Sequence, residues 1–225
     1  MKNNSVKFGF YTSNRATRLR KFLSGPLRGN SIIGMVLHDG IPSDELKNLC
    51  DQNGIDLMAV DYVELGVDKS RRNKYLSDVL LEQLVARGVD YCFCFGSCIL
   101  VGDLLRVFRN RIINFHPSLL PAFPGIKAVD QAIEYGARFL GNTAHFIDEG
   151  VDTGPIIMQS IISAEAFSGY DSVLDQQLLM LAQIIKWLEQ GRIEVSGRKV
   201  NVRDAVCDDL TFMPNVEPDL LQKLL

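Results

Sequence analysis

Two stretches carry the residues whose types and spacing suit chemistry: Ile113 to Gly125, INFHPSLLPAFPG, and Asn142 to Ile157, NTAHFIDEGVDTGPII. In the first, the β-rich run Arg111-Ile112-Ile113 delivers Asn114 and His116 to the end of a strand, and Pro117 turns the chain out of regular structure. In the second, a strand-like run from Thr143 to Ile147 leads into an acidic, glycine-bearing loop with Asp148, Glu149 and Asp152. An amide, an imidazole and a carboxylate are the groups that stabilise charge growing on an oxygen and move a proton. Residue types alone leave the three carboxylates as rivals. Each piece also has a plainer reading, the histidine as a satisfied structural residue and the aspartate of D-x-G-P as a turn-former.

The surrounding elements are those of an α/β chain. Strands are expected at Val6–Tyr11, Ser31–Leu37, Ile55–Val60 and Val89–Phe95. Helices are expected from a Ser13-Asn14 cap through Leu23, over Ser43–Asn53 and Ser70–Arg87, and after Leu100 through Phe108. VDYCFCF is a continuous apolar run, as a central parallel strand with both faces covered requires. Further on come a helix at Ala128–Tyr135, strands at Thr143–Ile147 and Ile156–Ile162, and a helix at Asp171–Gln190 with Leu174, Leu178, Leu181, Ile185 and Leu188 inward. A short hairpin around Val195, Val200 and Val202 follows, and PDLLQKLL packs back on the body. The expected class is an open, mostly parallel Rossmann-like sheet with helices on both faces, in a domain of residues 1–190 with a tail of 191–225. In such sheets ligands lie beyond the carboxyl ends of the strands, so the loops after Phe10, Phe95 and Phe115 are expected to face one crevice.

Composition narrows the function classes. With 225 residues and 47% hydrophobic content the chain can bury a full core. A net charge of −3 and a pI near 5.6 give no electrostatic footprint for nucleic acid or an anionic membrane. The opening run MKNNSVKFGFY is too short in apolar residues for a leader, no stretch approaches a membrane span, and a cytoplasmic protein is expected. Five cysteines, with Cys92, Cys94 and Cys98 in or just after an apolar strand, lack metal-ligand spacing. They read as reduced core or pocket-lining thiols, and no metal is expected. The turn after the first strand, T-S-N-R-A-T-R-L, holds neither a G-x-G-x-x-G nor a P-loop. Arg15, Arg18 and Arg20 there are candidates for a phosphate or, equally, for a solvated basic face.

Asn114-x-His116-Pro-Ser-Leu-Leu-Pro, the Phe-Pro-Gly turn, His145-Phe and Asp152-x-Gly-Pro together resemble the folate-dependent formyltransferases, most closely the branch acting on glycinamide ribonucleotide. The resemblance runs from about Val89 to Gln159. It implies transfer of a formyl group from 10-formyltetrahydrofolate to a primary amine, with Asn114 and His116 polarising the formyl oxygen. It chooses Asp152 among the carboxylates, to keep His116 charged and relay the amine proton. Carried over by position, Ser97, Cys98, Ile99, Leu100 and Leu105, with Ile147, Asp148 and Val151, would border the pterin. Ser13, Asn14, Arg15, Ala16, Thr17 and Arg18, with Pro117 and Gln177, would meet the acceptor.

The departures from the pattern concern the acceptor. The family's glycine-rich phosphate loop reads SNRATRL here, the late-helix Glu-His pair is replaced by Gln177-Leu178, and Cys98 stands where an arginine is usual. The partners expected are a reduced folate and a small-molecule amine, phosphoribosylglycinamide by resemblance or else another amine such as an amino sugar nucleotide, in a monomer or homodimer. Two other functions compete. A formyltetrahydrofolate hydrolase would release formate without any amine; its N-terminal regulatory domain finds no room before Val6, and the tail is too short for the C-terminal domain of the methionyl-tRNA members. A non-catalytic folate-binding protein would bind folate tightly with no turnover.

Overall fold

A computed structural model describes residues 5–224; the first four residues of the opening run lie outside the described residues. The chain divides into two compact units, Met1–Ile113 and Asn114–Leu225, so the division falls inside a strand and the 191–225 tail shares a unit with the helix before it.

The first unit alternates β1 (Lys7–Ser13), α1 (Thr17–Ser24), β2 (Ile32–Asp39), α2 (Asp44–Gln52), β3 (Asp56–Val60), α3 (Arg72–Ala86), β4 (Tyr91–Phe95) and α4 (Asp103–Val107). β1 pairs in parallel with β2 and β4, and β2 with β3, giving the order β3-β2-β1-β4. The apolar runs that marked these strands meet in the core. Phe93 lies 5.7 Å from Phe8 and 5.3 Å from Phe10, centroid to centroid, within the range in which tilted ring pairs attract. The Ser43 hydroxyl accepts from Leu46 N at 3.3 Å and caps α2 as its sequence predicts. α1 departs from expectation: it starts at Thr17, with Ala16 left-handed before it and no side-chain cap. The Ser13 hydroxyl is committed elsewhere, donating to Asp39 and accepting from Ser97 N, so it cannot also close the helix.

The second unit takes over within β5 (Ile112–His116) and continues with α5 (Ala128–Glu134), β6 (Phe139–Phe146), β7 (Ile156–Ser163), α6 (Tyr170–Glu189), β8 (Ile193–Ser196), β9 (Lys199–Val202), β10 (Phe212–Met213) and α7 (Pro218–Leu221). β6 and β7 are antiparallel, β10 adds to β7, and β8–β9 form the expected hairpin. Eight strands make an open, mostly parallel sheet of the expected α/β class. The tail closes on α6: Lys186 pairs with Glu217 and Asp219, each at 2.7 Å, and Leu220 is buried.

The inward stripe of α6 is corrected at two positions: Leu181, Ile185 and Leu188 are buried as expected, Leu174 and Leu178 are only half-buried, and Val173, Gln177, Met180 and Ile184 join the inner face. A helix apolar nearly all round does not declare its phase by leucines alone. Here a buried hydrogen bond, Gln177 Nε2 to Asn142 Oδ1 at 2.7 Å, makes a polar residue part of the inner face.

Candidate active site

Asn114 and His116 stand two apart on β5, so they share a face, while Phe115 between them is buried at 2% exposure. On β6 the register slips between Ala144 and His145. Such a bulge re-aims the next side chain, and His145 points at Asn114, whose Nδ2 lies 3.4 Å from its Nε2. His145 Nδ1 donates to the Phe146 carbonyl at 2.9 Å, which fixes the ring with Nε2 toward that amide.

Asp152 reaches the same place from the loop after β6. It adopts a left-handed conformation, φ 53°, and its Oδ2 accepts from Gly125 N at 2.8 Å. His116 Nδ1 lies 3.3 Å from Oδ2 and His145 Nε2 lies 3.6 Å from Oδ1. Burial works against the charge of this carboxylate, but His145, the Gly125 N–H and the charge of His116 outweigh it and hold its pKa below the usual range. The rival carboxylates are occupied or apart: Asp148 accepts from Gly150 N and Thr153 Oγ1 within its own loop, and Glu149 is exposed. Of the three, Asp152 is the one brought to the imidazoles.

His116 is committed at both ring nitrogens. Nε2 donates to the Phe123 carbonyl at 2.9 Å, so a substrate oxygen must displace that carbonyl to take this N–H. Thr143 and Gln159 secure the loop after His116: Thr143 Oγ1 donates to Ser118 O at 2.7 Å and accepts from Leu120 N, and Gln159 Nε2 donates to Leu120 O. Beside Asp152 lies a cavity of about 280 Å³ walled by Leu120, Pro121, Val151 and Ile156, where Arg198 of the β8–β9 turn donates to Thr153 O at 2.8 Å.

The other expected site residues fall as follows. In the second unit Pro117, Ile147 and Asp148 are half-buried and Val151 is exposed. In the first unit Ser97 and Ile99 are exposed, Cys98 is half-buried, and Leu100 and Leu105 are core side chains at 4% and 6% exposure. Cys92 and Cys94 are buried free thiols. Asn14, Arg15 and Thr17 are exposed and Ala16 is buried. Arg18 stacks on Phe95 at 4.4 Å, and burial lowers its guanidinium to about 10. Arg20 pairs with Glu45 and leaves the basic group. Among the described residues no His, Cys, Asp and Glu cluster is arranged to hold a metal.

Gln177 is a correction. At 0% exposure, bonded to Asn142, it has no face to offer an acceptor. Gln177→Leu is therefore expected to strand the Asn142 carbonyl and cost about 1–3 kcal/mol of stability. Denaturant titration beside acceptor kinetics checks this; a raised acceptor KM at unchanged stability would restore the binding role.

Sequence reasoning assigned no role to His145, Thr143 or Gln159. The only local signal for His145 was its place beside Phe146 in the strand-like run; its aim depends on the bulge before it, which the sequence does not show.

The formyl transferase family profile matches residues 47–185 of this chain. Phosphoribosylglycinamide formyltransferase of Bacillus subtilis (strain 168) is 44% identical over 107 residues, 47% of this chain and 55% of its own length. The chain thus spans about half the length of that relative. Formyltetrahydrofolate deformylase of Escherichia coli O6:H1 is 43% identical over 67 residues, 30% of this chain and 24% of its own. Among solved structures, glycinamide ribonucleotide transformylase 1 from Symbiobacterium toebii superposes with a TM-score of 0.78 at 31% identity, covering 91% of this chain and 96% of the other.

Proposed function

The chain belongs to the formyl transferase family, and we propose that it moves a formyl group from 10-formyltetrahydrofolate to a primary amine, phosphoribosylglycinamide in the first instance. The observation that carries this reading is Asp152 set 3.3 Å from His116 and 3.6 Å from His145, with the Asn114 amide on the second imidazole. All four lie inside the matched segment.

The donor, a substrate, supplies an activated formyl carbon; attack by an amine puts negative charge on the formyl oxygen and positive charge on nitrogen, and collapse of that adduct breaks the bond from the formyl carbon to the folate nitrogen, which takes up a proton and leaves as tetrahydrofolate. Asn114 offers its amide N–H to that oxygen, and His116 joins it by exchanging the Phe123 carbonyl for the substrate. Asp152, held ionised over the whole neutral range, faces His116 at 3.3 Å and receives the amine proton. What supports this fit is a carboxylate that its neighbours keep charged against burial, with imidazoles at 3.3 and 3.6 Å and the Asn114 amide on the second of them.

Ser97, Cys98, Ile99, Leu100 and Leu105, with Ile147, Asp148 and Val151, are proposed donor contacts. Ser13, Asn14, Arg15, Ala16, Thr17, Arg18 and Pro117 are proposed acceptor contacts. The protein works in the cytoplasm as a monomer or homodimer. A second acceptor class, amino sugar nucleotides, is favoured by one feature: the β1–α1 loop has non-glycine residues, Asn14 and Ala16, in left-handed conformation where the family pattern has glycines.

Loss of 10-formyltetrahydrofolate, followed in parallel with phosphoribosylglycinamide and with a set of amino sugar nucleotides, tests the proposal. One amine is expected to drive turnover at least about tenfold above the rest. Donor loss without any amine would point to the deformylase reaction instead, and no loss with any of them would contradict enzymatic transfer.

A further inference from the structure

The start of the β4 exit is held by side chains of β1 and β2, which lie outside the matched segment 47–185. Tyr11 and Ser13, on the same face of β1, each bond one backbone amide there: Cys98 N donates to the Tyr11 hydroxyl at 3.0 Å and Ser97 N donates to the Ser13 hydroxyl at 2.8 Å. Both hydroxyls then donate to one oxygen of Asp39, the last residue of β2, at 3.1 and 3.3 Å. Ser97 Oγ and the Cys98 thiol point to the same carboxylate oxygen at 3.5 and 3.3 Å. Three residues on, Val101 N donates to Ser77 Oγ of α3 at 2.9 Å. The span Ser97–Val101 is thus pinned at both ends.

The ring of Tyr11 explains a second feature. A Cβ at Gly96 would lie 2.0 Å from Tyr11 Cζ, so Gly96 lets the phenol cross the strand exit to reach the Cys98 amide and Asp39. Burial pushes the Tyr11 hydroxyl far above its ordinary pKa, so it remains a proton donor to the carboxylate.

The geometry points to Tyr11, Ser13 and Asp39 as positioning residues that fix the backbone of Ser97–Val101 for the formyl donor. This rests on the reading above, in which Ser97 to Leu100 contact the folate. The three act through the segment and touch no reacting atom. For Tyr11 and Asp39, which carry no proposed acceptor contact, loss should therefore fall on donor binding and spare the chemical step.

Two measurements test the clamp. Amide hydrogen exchange asks whether it exists: the Cys98 amide in Tyr11→Phe and the Ser97 amide in Ser13→Ala are expected to exchange at least about tenfold faster than in the unaltered protein, since each loses its acceptor. Equal rates would overturn the proposal. Calorimetric titration with a non-reactive 10-formyltetrahydrofolate analogue, beside steady-state kinetics, asks what the clamp does. Tyr11→Phe and Gly96→Ala are each expected to raise the analogue Kd and the donor KM about tenfold with kcat within threefold. Asp39→Asn, which keeps an acceptor oxygen, should be milder than Asp39→Ala. Donor constants unchanged in Tyr11→Phe, or a loss confined to kcat, would contradict the positioning role. Failure of the unaltered protein to bind the analogue would sink the folate reading instead, while the exchange rates would still report on the clamp.

Discussion

Asp152→Asn is expected to lower kcat/KM by roughly 10²- to 10⁴-fold while leaving the fold intact. A positioned side chain that takes up a proton in the transition state typically contributes about 10²- to 10⁴-fold, and each 1.36 kcal/mol of barrier is about tenfold in rate. The asparagine keeps an oxygen for the Gly125 N–H, so the loop is not released, but the charge that His116 and His145 face at 3.3 and 3.6 Å is gone. The same substitution has a signature in stability. Because the folded-state pKa of Asp152 is depressed, its contribution is full above the ordinary aspartate value of about 3.9 and is lost as pH falls through the depressed value. The stability difference between the unaltered protein and Asp152→Asn should be constant from about pH 5 to 7 and shrink below about pH 4. A difference that grew on acidification would mean that the native environment raises this pKa.

Gly154→Ala is expected to damage stability and catalysis together. A Cβ at Gly154 would stand 1.8 Å from the Phe146 carbonyl oxygen and 2.8 Å from its carbon, and backbone cannot yield as a side chain tip would. That carbonyl accepts from His145 Nδ1 at 2.9 Å, and Phe146 N donates to Pro155 O at 2.9 Å. Relieving the clash moves the end of β6 and the loop that carries Asp152 two residues earlier. Overpacking of this kind costs about 1–3 kcal/mol, occasionally more, and small misplacements of reacting groups can cost about 10²-fold in rate. Thermal unfolding and kcat/KM of the alanine variant check both halves. A native melting temperature with full activity would show that the close approach is dispensable.

Much of this architecture was legible because it follows from local rules. The apolar, β-branched and aromatic runs became β1 to β4, Ser43 capped α2, and strand alternation put Asn114 and His116 on one face. The site was legible in its residue types, but the choice among Asp148, Glu149 and Asp152 came from family resemblance, because a loop carries no periodicity to say which carboxylate turns inward. Geometry adds the reason: Asp148 is consumed by its own turn. What escaped was set by long-range contacts. His145 is aimed by a bulge that depends on how β7 pairs with β6. Gln177 is tied to Asn142, 35 residues away in sequence, a partner that no local pattern in α6 announces. The Ser13 cap failed for the same kind of reason, since Asp39 and Ser97 claim its hydroxyl first.

The most direct measurement is a single-turnover experiment with protein in excess over 10-formyltetrahydrofolate, with and without phosphoribosylglycinamide, in the unaltered chain and in Asp152→Asn. The formyl group is expected to leave the donor, and to appear on the amine, only with the unaltered chain and only when amine is present. Donor loss at equal rates in the two proteins, or at equal rates with and without amine, would contradict a transfer centre built on Asn114, His116 and Asp152.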